Sequence, residues 1–241
     1  MRLPKVGRVS VSSKVPGEVY ALSVEQGYQS GEIYRIGECL VVHHYCGFVF
    51  LRGDVSGRDL NELYERVQSS RRAILFSSDK EISDFCRSTE NVNCGRRIFF
   101  EYRAVEIALP ALPEGAVVRL IDAVDLERIK GHITPDFSWE DHASFLSKGI
   151  GYCIAFGDDI AAWAFSAGIS DSEIDIGVET AEEYRGRGLS PIVASYMVDH
   201  ILRLGKTHVW ACDSANIASK KVALKVGFEI VGECDRFVLK G

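Results

Sequence analysis

The chain has 241 residues, of which 46% are hydrophobic and 26% are charged, and its formal net charge is −6 at pH 7. This length allows one large domain or two smaller ones, and the composition is ordinary for a globular protein. The acidic balance argues against a dedicated nucleic-acid binder, because such proteins usually carry a basic surplus. No apolar run approaches the roughly 20 residues that a membrane span requires, so we expect no membrane partner.

The N-terminus and the cysteines indicate the compartment. Residues 1–17 lack the continuous apolar region of a secretory signal, which favours a cytoplasmic protein. The seven cysteines include no CxxC pair, and with the six histidines they do not have the spacing of a metal site. We therefore expect reduced, mostly buried thiols and no metal cofactor.

The first half of the chain has the pattern of a small α/β unit. Short apolar runs predict strands, and apolar residues at helical spacing predict helices. The predicted elements are one or two strands in residues 39–54, a helix in 57–70, a strand in 73–77, a helix in 79–88 and a strand in 96–105. No motif here carries recognisable chemistry, so the role of this segment is left open.

A break in composition separates this segment from the rest of the chain. Residues 108–116, ALPALPEGA, contain two prolines and a glycine that interrupt regular structure. We place a boundary near Leu112, which divides the chain into an N-terminal α/β segment, residues 1–112, and a second domain, residues 113–241. The connection is too brief for a long tether, so we expect one compact particle.

The second half predicts a mixed α/β domain with the order β-α-α-β-β-β-α-β-α-β. Ser138 and Asp141 have the spacing of a capping box, which predicts that the second helix begins after Ser138. The predicted elements are a strand in residues 116–123, helices in 125–133 and 137–149, two strands in 151–168, a strand in 173–180, a helix in 191–205, a strand in 208–212, a helix in 215–227 and a strand in 228–233.

The loop EEYRGRGLSP, which precedes the long helix 191–205, has the features of an anion site. Gly186 and Gly188 remove side chains that would block a ligand, while Arg185 and Arg187 add positive charge. Amides at a helix N-terminus bind anions, so a pyrophosphate is the expected ligand. The alternative is a solvated, arginine-rich turn. The patterns GxxxxGK[ST] and GxGxxG are both absent.

The residues that follow the loop also predict where helix 191–205 begins. Ser190 suits the N-cap, where its hydroxyl would accept an amide hydrogen bond. Pro191 suits the first helical position, because the N–H that proline lacks has no partner there. The loop would then present free amides at the positive end of the helix dipole.

At these residues the chain resembles a known family. YRGRGLS is similar to motif A of the GCN5-related N-acetyltransferases, Q/R-x-x-G-x-G/A, with Arg185 first and Gly188 fourth. Ser190 stands where the family prefers Gly or Ala. NIASKKVALKVGF resembles motif B and closes with Gly227 and Phe228. Both motifs lie in the family's order and on the expected elements.

The resemblance, over about residues 117–241, implies a GNAT-type mixed central sheet flanked by helices and preceded by the smaller α/β segment. It implies transfer of an acetyl group from acetyl-CoA to the amine of a small molecule. The layout is most similar to the zwittermicin-type antibiotic self-resistance acetyltransferases. A protein or peptide N-acetyltransferase, or a CoA-binding regulatory protein with little catalysis, is left open. The additional N-terminal segment favours a dedicated acceptor site or a homodimer contact.

The resemblance also implies which residues hold acetyl-CoA. Backbone groups at the splayed end of strand 173–180 would pair with the pantetheine arm, and a backbone N–H near Val178 would polarise the thioester carbonyl. The loop amides would hold the pyrophosphate, and the start of helix 215–227 would bind the arm from the other side. The expected cofactor-binding residues are Val178, Thr180, Arg185, Gly186, Arg187, Gly188, Leu189, Ser190, Asn216 and Ser219.

Amine attack requires a group that accepts a proton, directly or through water. Alternation along EIDIGVET places Glu173, Asp175 and Glu179 on one strand face. Asp175 is our first choice for the catalytic base, because several related families carry a Glu ten residues before the motif A arginine. Glu179 is the second choice. The alternative is a hydrated or ion-paired polar face without a catalytic role.

The chain differs from many family members at the residue that would donate a proton to the leaving group. Many members carry a tyrosine in motif B that protonates the leaving thiolate, and the corresponding position here is Ala223. Tyr184, Cys212 and Asp213 lie nearby in the sequence. Whether one of them replaces the tyrosine, or no general acid is used, is left open.

Overall fold

The computed structural model describes residues 9–11 and 18–241, which form one mixed sheet flanked by helices. Most of the N-terminal stretch for which the sequence predicts no secretory signal therefore lies outside the described residues. No helix in the described ranges is both long and apolar enough to cross a bilayer.

The elements alternate along the chain as follows. The strands are β1 (Val9–Val11), β2 (Gly31–Ile36), β3 (Cys39–His44), β4 (Phe48–Val55), β5 (Ala73–Ser77), β6 (Asn93–Tyr102), β7 (Ala116–Leu120), β8 (Gly151–Phe156), β9 (Asp159–Ile169), β10 (Glu173–Thr180), β11 (Thr207–Asp213) and β12 (Glu229–Lys240). The helices are α1 (Val19–Glu25), α2 (Gly57–Val67), α3 (Lys80–Ser88), α4 (Ala123–Arg128), α5 (His142–Lys148), α6 (Leu189–Arg203) and α7 (Ile217–Val226), with short 3-10 turns at Pro135–Phe137 and Glu182–Tyr184.

The sheet has the strand order β2-β3-β4-β5-β12-β6-β11-β10-β9-β8-β7, and β1 pairs with β4. The described strand pairs are antiparallel except for β4 with β5 and β10 with β11, which are parallel. Helix α6 packs against β8 to β11 and against α7, and α1 packs against β3, β9 and β10. This arrangement confirms the predicted fold class.

Strand β6 joins the two halves of the chain. It comes before Leu112, yet it pairs with β11 on one side and with β12 on the other. Its Ile98, Phe99 and Phe100 are buried in a core that also contains side chains from α1 and α6. One sheet therefore contains strands from both sides of the predicted boundary. The boundary itself lies in residues 103–115, which form an irregular and mostly exposed connection.

The predicted order of elements in the second half is confirmed, but the helix starts differ from the prediction, by the largest amount at α5. Helix α5 begins at His142, and the Asp141 carboxylate caps it by accepting the Ser144 amide at 2.6 Å. Ser138 is buried, and the next residue, Trp139, packs into the core and donates its indole N–H to the Ser166 carbonyl. Tertiary packing thus overrides the capping pattern. In the first half, α1 and β2 were not predicted.

We predict that residues 113–241 do not fold without the preceding segment. Removing β6 takes Ile98, Phe99 and Phe100 from the core, at about 1.5–3 kcal/mol for each buried side chain. It also exposes the pairing edges of β11 and β12. Circular dichroism of the fragment should show no cooperative thermal transition.

The control leaves β6 in place and cuts only the connection. A protease site inserted after Leu109 and then cleaved should leave both pieces in a single size-exclusion peak, because the sheet holds them together. A 113–241 fragment that unfolds cooperatively by itself would contradict this prediction.

Candidate functional site

Strands β10 and β11 are paired only where they begin. Their parallel ladder runs from the Glu173–Thr207 pair to the Asp175–Val209 pair, although both strands continue beyond it. The strands therefore part after Asp175, and the edge of β10 that faces β11 is left without a ladder partner. An unpaired strand edge can hydrogen-bond an extended ligand. Two cavities open along this gap.

The larger cavity, of about 690 Å³, is called the groove here. It lies between the end of β10, the loop before α6, and α7. Every predicted cofactor-binding residue except Arg187 lines it: Val178, Thr180, Arg185, Gly186, Gly188, Leu189, Ser190, Asn216 and Ser219. The fold thus brings together residues that the sequence predicted from two separate motifs.

The predicted start of α6 is wrong by two residues. Gly188, rather than Ser190, occupies the N-cap and has a left-handed conformation with φ of 74°, and Leu189 is the first helical residue. The glycine allows this turn because other residues rarely adopt positive φ. The Ser190 hydroxyl instead forms a 2.5 Å hydrogen bond with the Thr180 hydroxyl, which ties the helix to the end of β10.

The loop before α6 fits an anion. No described residue accepts a hydrogen bond from the amides of Gly186, Arg187 or Gly188. The amides of the first helical turn also have no partner within the helix. A Cβ atom added at Gly186 or Gly188 would meet nothing within 4 Å, so space is open beside both amides. The Arg185 amide differs, because it donates to the Glu182 carbonyl at 3.2 Å.

The charged side chains around the groove are only partly those predicted. The Arg187 guanidinium lies 4.8 Å from the centre of the Tyr184 ring and outside the groove. Lys221 and Lys225, one helical turn apart on α7, line the groove and were not predicted. Their spacing in the motif B helix was the signal available in the sequence.

Asn216 and Ser219 also stabilise the local structure. The Asn216 side chain caps α7 by accepting the Ser219 amide at 3.0 Å. The Ser219 hydroxyl accepts the indole N–H of the buried Trp210, also at 3.0 Å. These bonds hold the start of α7 against β11, on the side of the groove opposite β10.

The smaller cavity, of about 270 Å³, is called the inner pocket here. It lies between the parted ends of β10 and β11 and residues from the first half of the chain. Ile133, Val178, Asn216 and Ser219 line both cavities, so the inner pocket meets the groove at these residues.

Asp175 lies in the inner pocket and is only 4% exposed. The Tyr20 hydroxyl of α1 donates to its Oδ2 at 2.7 Å, while Oδ1 has no described hydrogen-bond partner. Burial raises the pKa of Asp175 to about 6, against the opposing effects of the Arg97 guanidinium and the Tyr20 hydrogen bond. Tyr20 and Arg97 were not predicted, and no pattern in the sequence links them to Asp175.

The other two acids of β10 lie outside the inner pocket, although Glu179 lines the groove. Glu179 accepts hydrogen bonds from the amides of His132 and Ile133 at 2.8 and 2.7 Å, so its carboxylate anchors the segment after α4. Glu173 lines neither cavity. The sequence predicted that the three acids share one polar face of β10, but β10 has no exposed polar face. Its pairing with β9 shifts register just after Asp175, which interrupts the regular alternation of side chains.

Two further expectations concern reactive groups. Ala223, at the position of the family tyrosine, is buried, and its methyl side chain cannot donate a proton. All seven cysteines are free and only Cys94 is exposed, as expected for reduced, buried thiols. Among the described residues, no group of three or more potential metal ligands was found.

Comparison with known proteins shows the family. A family model described as GNAT acetyltransferase matches residues 14–237, a range that extends well before the motif resemblance. The uncharacterized N-acetyltransferase YdfB of Bacillus subtilis (strain 168) is 30% identical over 201 residues, which cover 78% of this chain and 76% of YdfB. This chain therefore belongs to the GNAT acetyltransferase family.

Solved structures share the fold. A GCN5-related N-acetyltransferase-like protein from Streptococcus suis 89/1591 superposes with a TM-score of 0.74 at 23% identity, over 92% of this chain and 93% of that one. A GCN5-related N-acetyltransferase from Kribbella flavida gives a TM-score of 0.67 at 13% identity, over 95% and 97% of the two chains. The similarity thus includes the first half of the chain.

We predict that Tyr20→Phe destabilises the protein more at high pH than at low pH. Because Tyr20 stabilises the ionised Asp175, its loss raises the pKa of Asp175 above the present value of about 6. An acid whose pKa is higher in the folded state than in the unfolded state makes folding less favourable as the pH rises through its two pKa values. Raising the folded-state pKa of Asp175 further therefore lowers the stability most at high pH. Urea unfolding should show a loss of about 1.5–3 kcal/mol near pH 8 and about 1 kcal/mol near pH 5.

The control is the same substitution in an Asp175→Asn background. There the carboxyl group that titrates is gone, so the effect of Tyr20→Phe should be independent of pH. An equal loss at both pH values in the wild-type background would show that Asp175 does not titrate against this hydroxyl.

Proposed function

We propose that this protein transfers the acetyl group of acetyl-CoA to the amine of a small molecule. One observation carries the proposal: the groove and the inner pocket meet at Val178, beyond the point where β10 leaves β11. A thioester at the end of the groove would lie beside an amine in the inner pocket. Catalysis by proximity requires this arrangement of donor and acceptor.

The groove has the groups needed to hold acetyl-CoA. The unpaired edge of β10 offers backbone hydrogen bonds to the pantetheine arm, and a backbone N–H near Val178 would polarise the thioester carbonyl. The amides from Gly186 to Ser190 would bind the pyrophosphate. Lys221 and Lys225 add positive charge on the opposite wall.

The chemistry then requires a proton acceptor on the side of the amine. Acetyl-CoA supplies the thioester: a C–N bond forms to the acetyl carbon as the C–S bond breaks, giving the N-acetyl product and the thiolate of CoA, which takes up a proton from solvent. Asp175 takes the proton that the amine loses, directly or through a water molecule. With a pKa of about 6, it is mostly ionised at neutral pH, as a general base must be.

The same geometry supports a small acceptor over the alternatives. A pocket of about 270 Å³ accommodates a compact molecule better than a protein tail. A protein that only binds CoA would not need a buried carboxylate beside the end of the groove. The resemblance of the layout to antibiotic self-resistance acetyltransferases makes amine-containing antibiotics one set of acceptors to assay.

Gly188→Glu should abolish acetyl-CoA binding. The new carboxylate would occupy the space beside the loop amides and repel the pyrophosphate. Gly205→Glu is the matched control: Gly205 has φ of 68° and open space around it, like Gly188, but lies just beyond the other end of α6. The backbone strain is therefore comparable in both variants.

Calorimetry should show a measurable Kd for the wild type and for Gly205→Glu, and none for Gly188→Glu. Bound acetyl-CoA should also raise the Tm of the wild type with increasing concentration, because a ligand stabilises the state that it binds. Unchanged affinity in Gly188→Glu would place the pyrophosphate elsewhere.

Asp175→Asn should lower kcat/KM by roughly 10²–10⁴-fold with little change in acetyl-CoA affinity, because it removes the proton acceptor and retains the side-chain size. In the wild type, the acidic limb of the pH profile of kcat/KM should have an apparent pKa of about 6, and this limb should be lost in the variant. Partial recovery is expected at high pH, where the amine is already neutral.

Glu173→Gln on the same strand is the control and should retain activity, since Glu173 lines neither cavity. Glu179→Gln tests the second choice for the base. If Glu179→Gln removes the acidic limb and Asp175→Asn does not, the base is Glu179. Profiles unchanged in both would mean that neither acid accepts the proton.

A further inference from the structure

The inner pocket contains more positive charge than its own carboxylates balance. Three arginines and two aspartates line it. Arg236 Nε lies 2.8 Å from Asp213 Oδ2, so these two residues neutralise each other. In the described part of the chain, Arg97 and Arg72 form no ion pair, and Asp175 is the only other carboxylate in the lining. A cationic excess therefore remains.

Arg97 contacts two aromatic rings and has hydrogen-bond donors that no described residue uses. It lies on the central strand β6, and its guanidinium is 5.0 Å from the Phe48 ring centre and 5.2 Å from that of Phe76. Its one described hydrogen bond is a long contact of 3.5 Å to the Ala211 carbonyl. A guanidinium has five N–H donors, so most of its donor capacity is unused by the described residues.

The coenzyme does not account for this charge. The loop amides and the α7 lysines, which suit its phosphates, line the groove, whereas Arg97 and Arg72 line only the inner pocket. The inner pocket is the acceptor side of the proposed function. Arg97 and Arg72 are therefore placed to contact the acceptor and not the coenzyme.

We infer that the acceptor is a compact amine that also carries an anionic group, a carboxylate or a phosphate, and that Arg97 binds this group together with the exposed Arg72. This inference rests on the proposed function. Asp175 faces the amine and Arg97 faces the anion, so the pocket presents opposite charges to the two ends of one molecule. The aromatic side chains of Phe48, Phe76 and Phe137 also line the pocket.

This arrangement distinguishes classes of amine. An arginine forms paired, charge-assisted hydrogen bonds with a carboxylate or a phosphate. An amine with a second positive charge would be repelled by Arg97, and a neutral amide would leave its charge unbalanced. Amino acids and aminoalkyl phosphates fit the pocket, whereas polyamines do not.

The test uses matched sets of acceptors that share the amine and the chain length. Each set contains an amino acid, its carboxamide and the aminoalkylphosphonate with the same chain. Turnover is followed by release of the CoA thiol, and binding of the same compounds to the CoA-loaded protein is measured by calorimetry. The wild type should prefer an anionic member over the carboxamide by about 10–100-fold. Comparison of the two anionic members identifies the carboxylate or the phosphate as the recognised group.

Arg97→Gln should reduce this preference to less than about threefold without changing acetyl-CoA affinity, and Arg97→Lys should restore part of it because it retains the charge. Arg96→Gln is the matched control: Arg96 is the neighbouring residue on β6, is exposed and pairs with Glu233 at 2.6 Å. The Arg96→Gln variant should prefer anionic acceptors as strongly as the wild type does. If Arg97→Gln does not fold, Arg72→Gln should still lower the preference.

The inference is overturned if no anionic member is preferred in any set, by turnover or by binding, or if the preference survives in Arg97→Gln. This result is distinct from failure of the proposed function. Acetyl-CoA can bind normally while the acceptor sets show no preference for an anion. Conversely, an Arg97-dependent preference in binding without acetyl-CoA turnover would support the anion site and contradict acetyl transfer.

Discussion

The separation of β10 from β11 after the Asp175–Val209 pair is the constraint on which the site depends. Each strand is paired on its outer side along the parted region: β10 with β9 from Ile176 to Thr180, and β11 with β6 from Val209 to Asp213. The gap is therefore held between two paired strands, and it does not depend on weak pairing at a free edge. Backbone groups in the gap are unpaired inside an otherwise continuous sheet, and such groups need a partner. A ligand that binds in extended form can supply one.

The two halves of the chain contribute different walls of this gap. The groove is built from β10, α6 and α7, all after Leu112. The inner pocket adds Tyr20 from α1, Phe48 from β4 and Arg97 from β6. In the proposed function, the later residues hold the donor and the earlier ones select the acceptor. In that proposal the N-terminal segment has a chemical role; the family match, which begins at residue 14, includes most of this segment.

The contrast between Asp175 and Glu179 shows how environment separates two acids on one strand. Glu179 has two backbone amides as partners and holds a neighbouring segment in place. Asp175 is buried with one oxygen bound to Tyr20 and the other without a described partner. Burying a carboxylate with incomplete hydrogen bonding costs stability, and its pKa rises accordingly. Groups kept in this condition commonly have functional roles.

The sequence alone determined the features that depend on local spacing. These are the order of elements after Leu112, the glycine and arginine loop, and the motif B helix, since turn chemistry and helical periodicity act over a few residues. Even there, α6 and α5 begin at Leu189 and His142, not at the predicted positions. Only the tertiary structure placed Tyr20 against Asp175 and brought Arg97 into the same pocket. Tyr20 and Asp175 are 155 positions apart, and the strand order that joins them leaves no periodic trace in the sequence.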